Sequence, residues 1–456
     1  MSHRTVLAIA LPITLSNAST PLVGYVDTLV IGRLGEVALI GGVGIAANVF
    51  SFLYWTLAFL RMGTTGFTAQ ADGAGDAHEA LLTLARALLI ALAGGLAMIL
   101  LQVPIARLAF WLMGPSPAVA SAAGAYFDIR IWSAPAALAN FALIGWLIGL
   151  GRAVTAFWLQ LLLNAVNLVL AVGLVVGLGL GVAGVGIAVA VAEMVAASAG
   201  LAVAAAIHRR SGATLSLAGA LDLGPLRVMM AANLDIMIRT LAVLIAFSFF
   251  VAQGARLGDT VLAANHVLMG LVMIAIYLLD GFAFAAERLV GQAVGAGDRE
   301  SLRAAVVATT IWAGVVGLVL TAGFWLAGDA LIRLTTSNAA VQAEARAVLG
   351  LAALAPIAGV WCFQLDGVFV GATRTADMRN MMLASLAVYF VAWAILFPIH
   401  ANHGLWLAIL VMFVARALLL ALRYPARESS VAAGGRWSAG VRQRGDAPPT
   451  PRPACP

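Results

Sequence analysis

The sequence predicts an all-α polytopic membrane protein with twelve transmembrane helices in two pseudo-symmetric six-helix lobes. Three observations predict it: the composition, the number of long apolar stretches, and an internal repeat. Of the 456 residues, 63% are hydrophobic and only 10% charged, and the mean hydropathy is +1.02. A soluble domain carries about 25% charged residues. This chain therefore cannot cover a water-facing surface, which excludes a soluble enzyme, a nucleic-acid binder and a disordered scaffold. Its 47 glycines and 15 prolines are residues that membrane helices tolerate better than soluble ones do.

A span needs about 20 apolar residues. Such stretches fall near 5–31, 38–62, 83–112, 118–148, 155–178 and 184–207. Six more fall near 226–253, 260–286, 303–327, 341–370, 378–399 and 404–423. Only His3 and Arg4 lead into the first, with no small-residue cleavage site, so it reads as a retained helix rather than a secretory signal. All 26 basic residues are Arg. Over alternate connections, eleven of them (Arg4, Arg86, Arg152, Arg209, Arg210, Arg227, Arg288, Arg299, Arg303, Arg374 and Arg379) share one side with the tail. Five (Arg33, Arg107, Arg256, Arg333 and Arg346) lie on the other. The positive-inside rule then puts both termini in the cytoplasm. Cys362 sits in an apolar segment and Cys455 is next to last, so no structural disulfide is expected.

The chain repeats itself. Residues 69–76 (AQADGAGD) match residues 291–298 (GQAVGAGD) at six of eight positions, at an offset of 222. The same offset carries Gly145, Gly149 and Arg152 onto Gly367, Gly371 and Arg374. Each half holds an even number of spans, so both enter from the same side and relate by an axis along the membrane normal. Secondary transporters use that arrangement to rock around a central site. The expected organisation is an N-terminal lobe over 1–207, a cytoplasmic linker over 208–225, a C-terminal lobe over 226–424, and a disordered tail over 425–456. The tail holds six of the prolines and lacks apolar periodicity.

Two strings mislead. Gly179-x-Gly181-x-x-Gly184 spells a dinucleotide fingerprint but lies between two apolar spans with no strand before it. Gly73-Ala74-Gly75-Asp76 and its copy at 295–298 spell the string of intramembrane aspartyl proteases, yet both fall in polar connections. A duplicated turn explains them better, and no other catalytic motif supports an enzyme.

A charge mid-bilayer costs at least about 2.5–3.5 kcal/mol, so each one needs a reason. Asp235 and Arg239 are one helical turn apart and are expected to pair with each other. Arg61, Glu287, Asp128 and Arg130 read as anchors or span-end charges. Glu193 has no local basic partner; a structural hydrogen bond and a transport role fit it equally. Asp27, Asp280 and Asp366 have no Arg within a turn on their own helices. Burial would raise such carboxyls toward the range where they can take and release protons. Pro12 and Pro21 interrupt the helix that carries Asp27 and make it a candidate hinge. Asn164 and Asn167 on the fifth span are either partners for a nearby carboxyl or inter-helix glue.

Residues 26–35 (VDTLVIGRLG), 59–66 (FLRMGTTG), 253–259 (QGARLGD), 279–287 (LDGFAFAAE) and 363–367 (FQLDG) together resemble the multidrug and toxic compound extrusion (MATE) transporters, specifically their DinF-like branch. The resemblance covers about residues 4–424. It implies two six-helix lobes meeting in a V, in an antiporter that expels organic, often cationic, compounds against a proton or sodium gradient. It implies that Asp27 is the first-helix proton acceptor, Pro12 the bend of that helix, Asn167 part of the same pocket, and Asp366 a carboxylate used for cation coupling in some relatives. Where relatives often carry an aspartate four residues after Asn167, this chain has Ala171. That leaves Asp27 as the main acceptor of its lobe, or moves coupling to Asp280 and Asp366.

The expected function is export of a small organic substrate, cationic or amphipathic, through the bacterial inner membrane. The coupling ion is H+, with Na+ as the alternative because Asp280 and Asp366 could supply oxygen ligands. No cofactor, resident metal or nucleic-acid partner is expected, and the chain is expected to act as a monomer in the lipid bilayer. A flippase for a lipid-linked precursor is the other alternative, although it should want a basic cleft.

Overall fold

The computed structural model describes residues 3–32, 36–212 and 216–432, with the side chains of 18–29, 32, 37 and 426–432 outside the described set. The side chains of Asp27 and Pro21, and all of Arg33 and Cys455, therefore lie outside the described residues. All described elements are helices.

The first half comprises α1 (His3–Gly32), α2 (Val37–Leu57), α3 (Phe59–Gly73), α4 (Ala77–Leu100) and α5 (Gln102–Met113), then α6 (Pro117–Arg130), α7 (Ala134–Gly149), α8 (Ala153–Ala171) and α9 (Gly181–Ser211). A short α10 (Leu217–Ala220) leads to the second half: α11 (Leu223–Arg256), α12 (Asp259–Gly295), α13 (Arg299–Thr335), α14 (Ala339–Gly371) and α15 (Thr375–Ala432). Helices α2 and α3 run on as one span, and so do α6 and α7. Ten stretches of the described residues are long and apolar enough to cross a membrane. Two more complete the expected twelve. One is the thirty-residue α1. The other comes from α15, whose 58 residues would run about 87 Å if straight, nearly three hydrocarbon cores. It doubles back at Ala401, where φ is 46° and ψ −120°, and Gly404 lets the returning limb close on the Leu396 carbonyl.

Helix ends depart from the apolar windows for a reason. The second and eighth spans, expected to stop near 62 and 286, continue to Gly73 and Gly295. Their last turns are polar because they bury against the other half rather than in lipid. The third window breaks at Leu101 into α4 and α5, with Pro104 in the first turn of α5, where a missing N–H costs little. The two glycine–aspartate strings are helix stops and starts. Gly75 and Gly297 take φ of 72° and 66°, and Asp76 and Asp298 cap α4 and α13 by accepting from Glu79 N at 2.9 Å and Ser301 N at 3.0 Å. Those Ser301 hydrogen bonds hold the exposed Asp298 carboxyl below its ordinary value.

The repeat is visible in the packing. Gly145 seats α7 against the backbone carbonyl of Arg61, and Gly367, 222 residues on, seats α14 against that of Ala283. Gly149 and Gly371 sit likewise against the carbonyls of Thr65 and Glu287. A side chain at any of the four would meet backbone.

Candidate functional site

The two halves meet along a seam formed by α3 and α12, flanked by α1, α11 and α14. It closes by reciprocal glycine contacts: Gly73 lies on the Gln292 carbonyl and Gly295 on the Gln70 carbonyl. The Gln70 amide donates across it to the Gly371 carbonyl at 2.9 Å and to Thr373 Oγ1 at 3.2 Å. Arg288 pairs with Asp72 at 2.6 Å. Deeper in, Thr14 Oγ1 donates to the Leu278 carbonyl at 3.3 Å, and Trp55 meets Tyr277 with ring centroids 6.4 Å apart. The glycine, Gln70 and Arg288 contacts lie at the end of the bundle that carries the α3–α4 and α12–α13 turns, so the halves are shut together there, while the Thr14 and Trp55 contacts lie near the middle of their spans. Asp72 and Arg288 correspond under the repeat to Val294 and Gly66, so the latch is made once, not twice. Asp72→Asn should loosen it, and a cysteine at Val294, now 8% exposed, should react with a membrane-impermeant maleimide several-fold faster than in the parent.

In the second half the intramembrane charges pair across helices. Asp366 on α14 accepts from both Arg239 on α11 and Arg416 on α15, and Arg416 is only 1% exposed. The expected Asp235–Arg239 pair does not form. Asp235 instead accepts from Arg379 Nη1 at 2.5 Å and Thr375 Oγ1 at 3.0 Å, because the turn that separates it from Arg239 leaves the two facing different neighbours. Asp366 is accordingly not an open carboxylate. Arg61 on α3 stands over the Phe284 ring of α12, with its guanidinium carbon 4.1 Å from the centroid, and its charge acts on Glu287 and Asp280. Glu287, expected near a span end, is buried at 1% exposure.

The first half holds a second buried cluster. Arg130, expected as an interfacial anchor, points into the bundle. Its guanidinium carbon is 4.6 Å from the Phe50 ring centroid, 5.5 Å from that of Tyr54 and 5.7 Å from that of Tyr126. It donates to Tyr126 Oη at 2.9 Å and to Glu193 Oε1 at 3.5 Å. Ser133 Oγ closes on Glu193 Oε2 at 2.5 Å. Glu193 thus has a basic partner, supplied by α6 rather than by its own helix.

Asn164 and Asn167 lie on α8, which packs against α1, the helix of Asp27. Asn164 accepts from Gln160 at 3.1 Å, and Asn167 is buried. Ala171 is fully buried and directly precedes a π-helical turn, Val172–Gly177, a distortion found frequently at functional sites. Pro12 lies within α1, two residues before Thr14 at the seam.

The MatE family model matches residues 12–173 and 229–395, one segment in each half. The chain is 41% identical over 420 residues to DNA damage-inducible protein F of Escherichia coli (strain K12), covering 92% of this chain and 91% of that one. It is 27% identical to the multidrug resistance protein NorM of Burkholderia vietnamiensis over 94% of this chain and 95% of the other. Among solved structures, an outward-facing multidrug resistance MATE family transporter of the MOP superfamily superposes with a TM-score of 0.84 at 19% identity, covering 94% of this chain and 97% of that one.

Proposed function

The chain belongs to the MatE family, and from that premise we propose that it is a proton-coupled antiporter exporting organic, cationic or amphipathic compounds from a bacterial cytoplasm by alternating access. The observation that carries proton over sodium is the pairing of the second-half carboxylates. A hard cation needs several oxygen ligands, but Asp366 already holds two guanidinium groups, Arg239 and Arg416, on its Oδ2. Asp280 and Glu287 face Arg61. A sodium ion entering there would have to displace guanidinium groups. Asp27, on the helix beside Asn164 and Asn167, is then the carboxyl left to take the driving proton.

The seam supports the direction. By the arginine count its closed end is cytoplasmic, which supports reading this conformation as one that opens outward, where protons enter and cargo leaves. Protonation of Asp27 with bending at Pro12 would release cargo from the first half. Asp27→Asn in proteoliposomes should therefore abolish most of the efflux of a cationic dye under an inward pH gradient. Efflux persisting in Asp27→Asn would move coupling to Asp280. A wild type that moves no cationic dye would favour the lipid-precursor flippase.

A further inference from the structure

We propose that Arg61 is a built-in counter-cation that the first half inserts between Asp280 and Glu287 of the second half when the cytoplasmic seam closes, where it competes with cationic cargo for those two acids. The inference rests on the reading of the cargo as cationic and adds the residue that expels it.

Three observations support it. Asp280, Phe284 and Glu287 fall at i, i+4 and i+7 on α12, one face of the helix. Arg61 stands over the middle ring, so its charge lies between the acids, a turn from each. Second, the groups belong to different bodies. The Arg61 carbonyl is gripped within the first half by Gly145 and by Thr65 Oγ1 at 2.9 Å. The Glu287 carbonyl is gripped within the second half by Gly371. Third, the repeat does not demand these charges: at the 222 offset Arg61, Asp280 and Glu287 correspond to Ala283, Ala58 and Thr65. A shared scaffold has received a cation on one side of the seam and acids on the other.

The consequence is an exchange of counter-ions. When the seam opens, Arg61 withdraws with the first half and leaves two carboxylates, buried Glu287 and half-buried Asp280, facing the cytoplasm. An uncompensated buried charge is costly, so the open state recruits positive charge, and an organic cation supplies it. When the seam closes, Arg61 returns and the cation loses its counter-ions on the side from which it must leave. The other charges acting on this face are Arg239 and Asp366, which pair with each other, and beside Asp280 the ring hydroxyl of Tyr277. Neither Arg239 nor Asp366 belongs to the first half, so neither can make the exchange.

The test uses the full chain in nanodiscs, with spin labels on His78→Cys and Glu300→Cys, two exposed positions related by the repeat, in a background lacking Cys362 and Cys455. Arg61→Gln should shift the label distance toward a longer, seam-open population. Arg61→Gln with Glu287→Gln should restore the short distance, which a variant that merely misfolds would not do. In the same samples Arg61→Gln should bind ethidium roughly tenfold more tightly, the effect of removing one adjacent like charge, and Arg61→Lys should bind as the parent does. An unchanged distance in Arg61→Gln, no rescue by the double variant, or weaker ethidium binding overturns the proposal. A parent that binds no ethidium, with the distances behaving as expected, retains the seam counter-cation and removes the cationic-cargo reading on which its competition with cargo rests.

Discussion

Asp366→Asn is expected to cost about 3–5 kcal/mol of stability, the scale of breaking a buried ion pair from one side. The variant should show a markedly lowered thermal midpoint in detergent at any sodium concentration. The reason is geometric. Asp366 is 2% exposed and holds two guanidinium groups, one of them 1% exposed. Without its charge, Arg239 and Arg416 would face each other in low dielectric. Replacing all three together, as in R239M/D366L/R416M, should recover most of the loss, because well-packed apolar residues replace buried ionic triads at little cost. If Asp366 were instead an open ion-coupling carboxylate, Asp366→Asn would spare stability and abolish transport. The midpoint of the single variant separates the two roles.

Arg130→Met carries the second large effect. It would strand Glu193 without its cation and remove the guanidinium from the Phe50, Tyr54 and Tyr126 rings, a combined loss of about 3 kcal/mol or more. Far-ultraviolet circular dichroism should stay helical while the thermal midpoint falls. A second change, Glu193→Leu, should restore part of the midpoint by removing the stranded charge. Full stability in Arg130→Met alone would mean that Glu193 is satisfied by Ser133 and leaves Arg130 no structural role.

Much of the architecture is legible in the sequence. Apolar length set the number of spans, and the repeated glycine–aspartate turns fixed the halves, because both properties are local in sequence. The repeat was informative for a physical reason: Gly145, Gly149, Gly367 and Gly371 each sit where a side chain would strike backbone. Charge pairing was the part that pattern could not reach. Asp235 and Arg239 satisfy the one-turn spacing and still choose other partners, since cross-helix neighbours depend on rotation and tilt that no spacing encodes. Arg416 interrupts the apolar run FVARALLL, and that break is the signal in the sequence for the second partner of Asp366. The α3–α12 seam is hidden for the opposite reason, because its polar turns read as connections although they are buried contacts between halves.

The central claim is that protons, not sodium ions, drive export. It is tested most directly by ethidium efflux from proteoliposomes holding the wild-type chain, with either a pH gradient or a sodium gradient imposed alone. The account predicts efflux under the pH gradient and none under a sodium gradient at equal pH. Efflux driven by sodium at constant pH would contradict it, since the second-half carboxylates would then have given up their arginines to the ion.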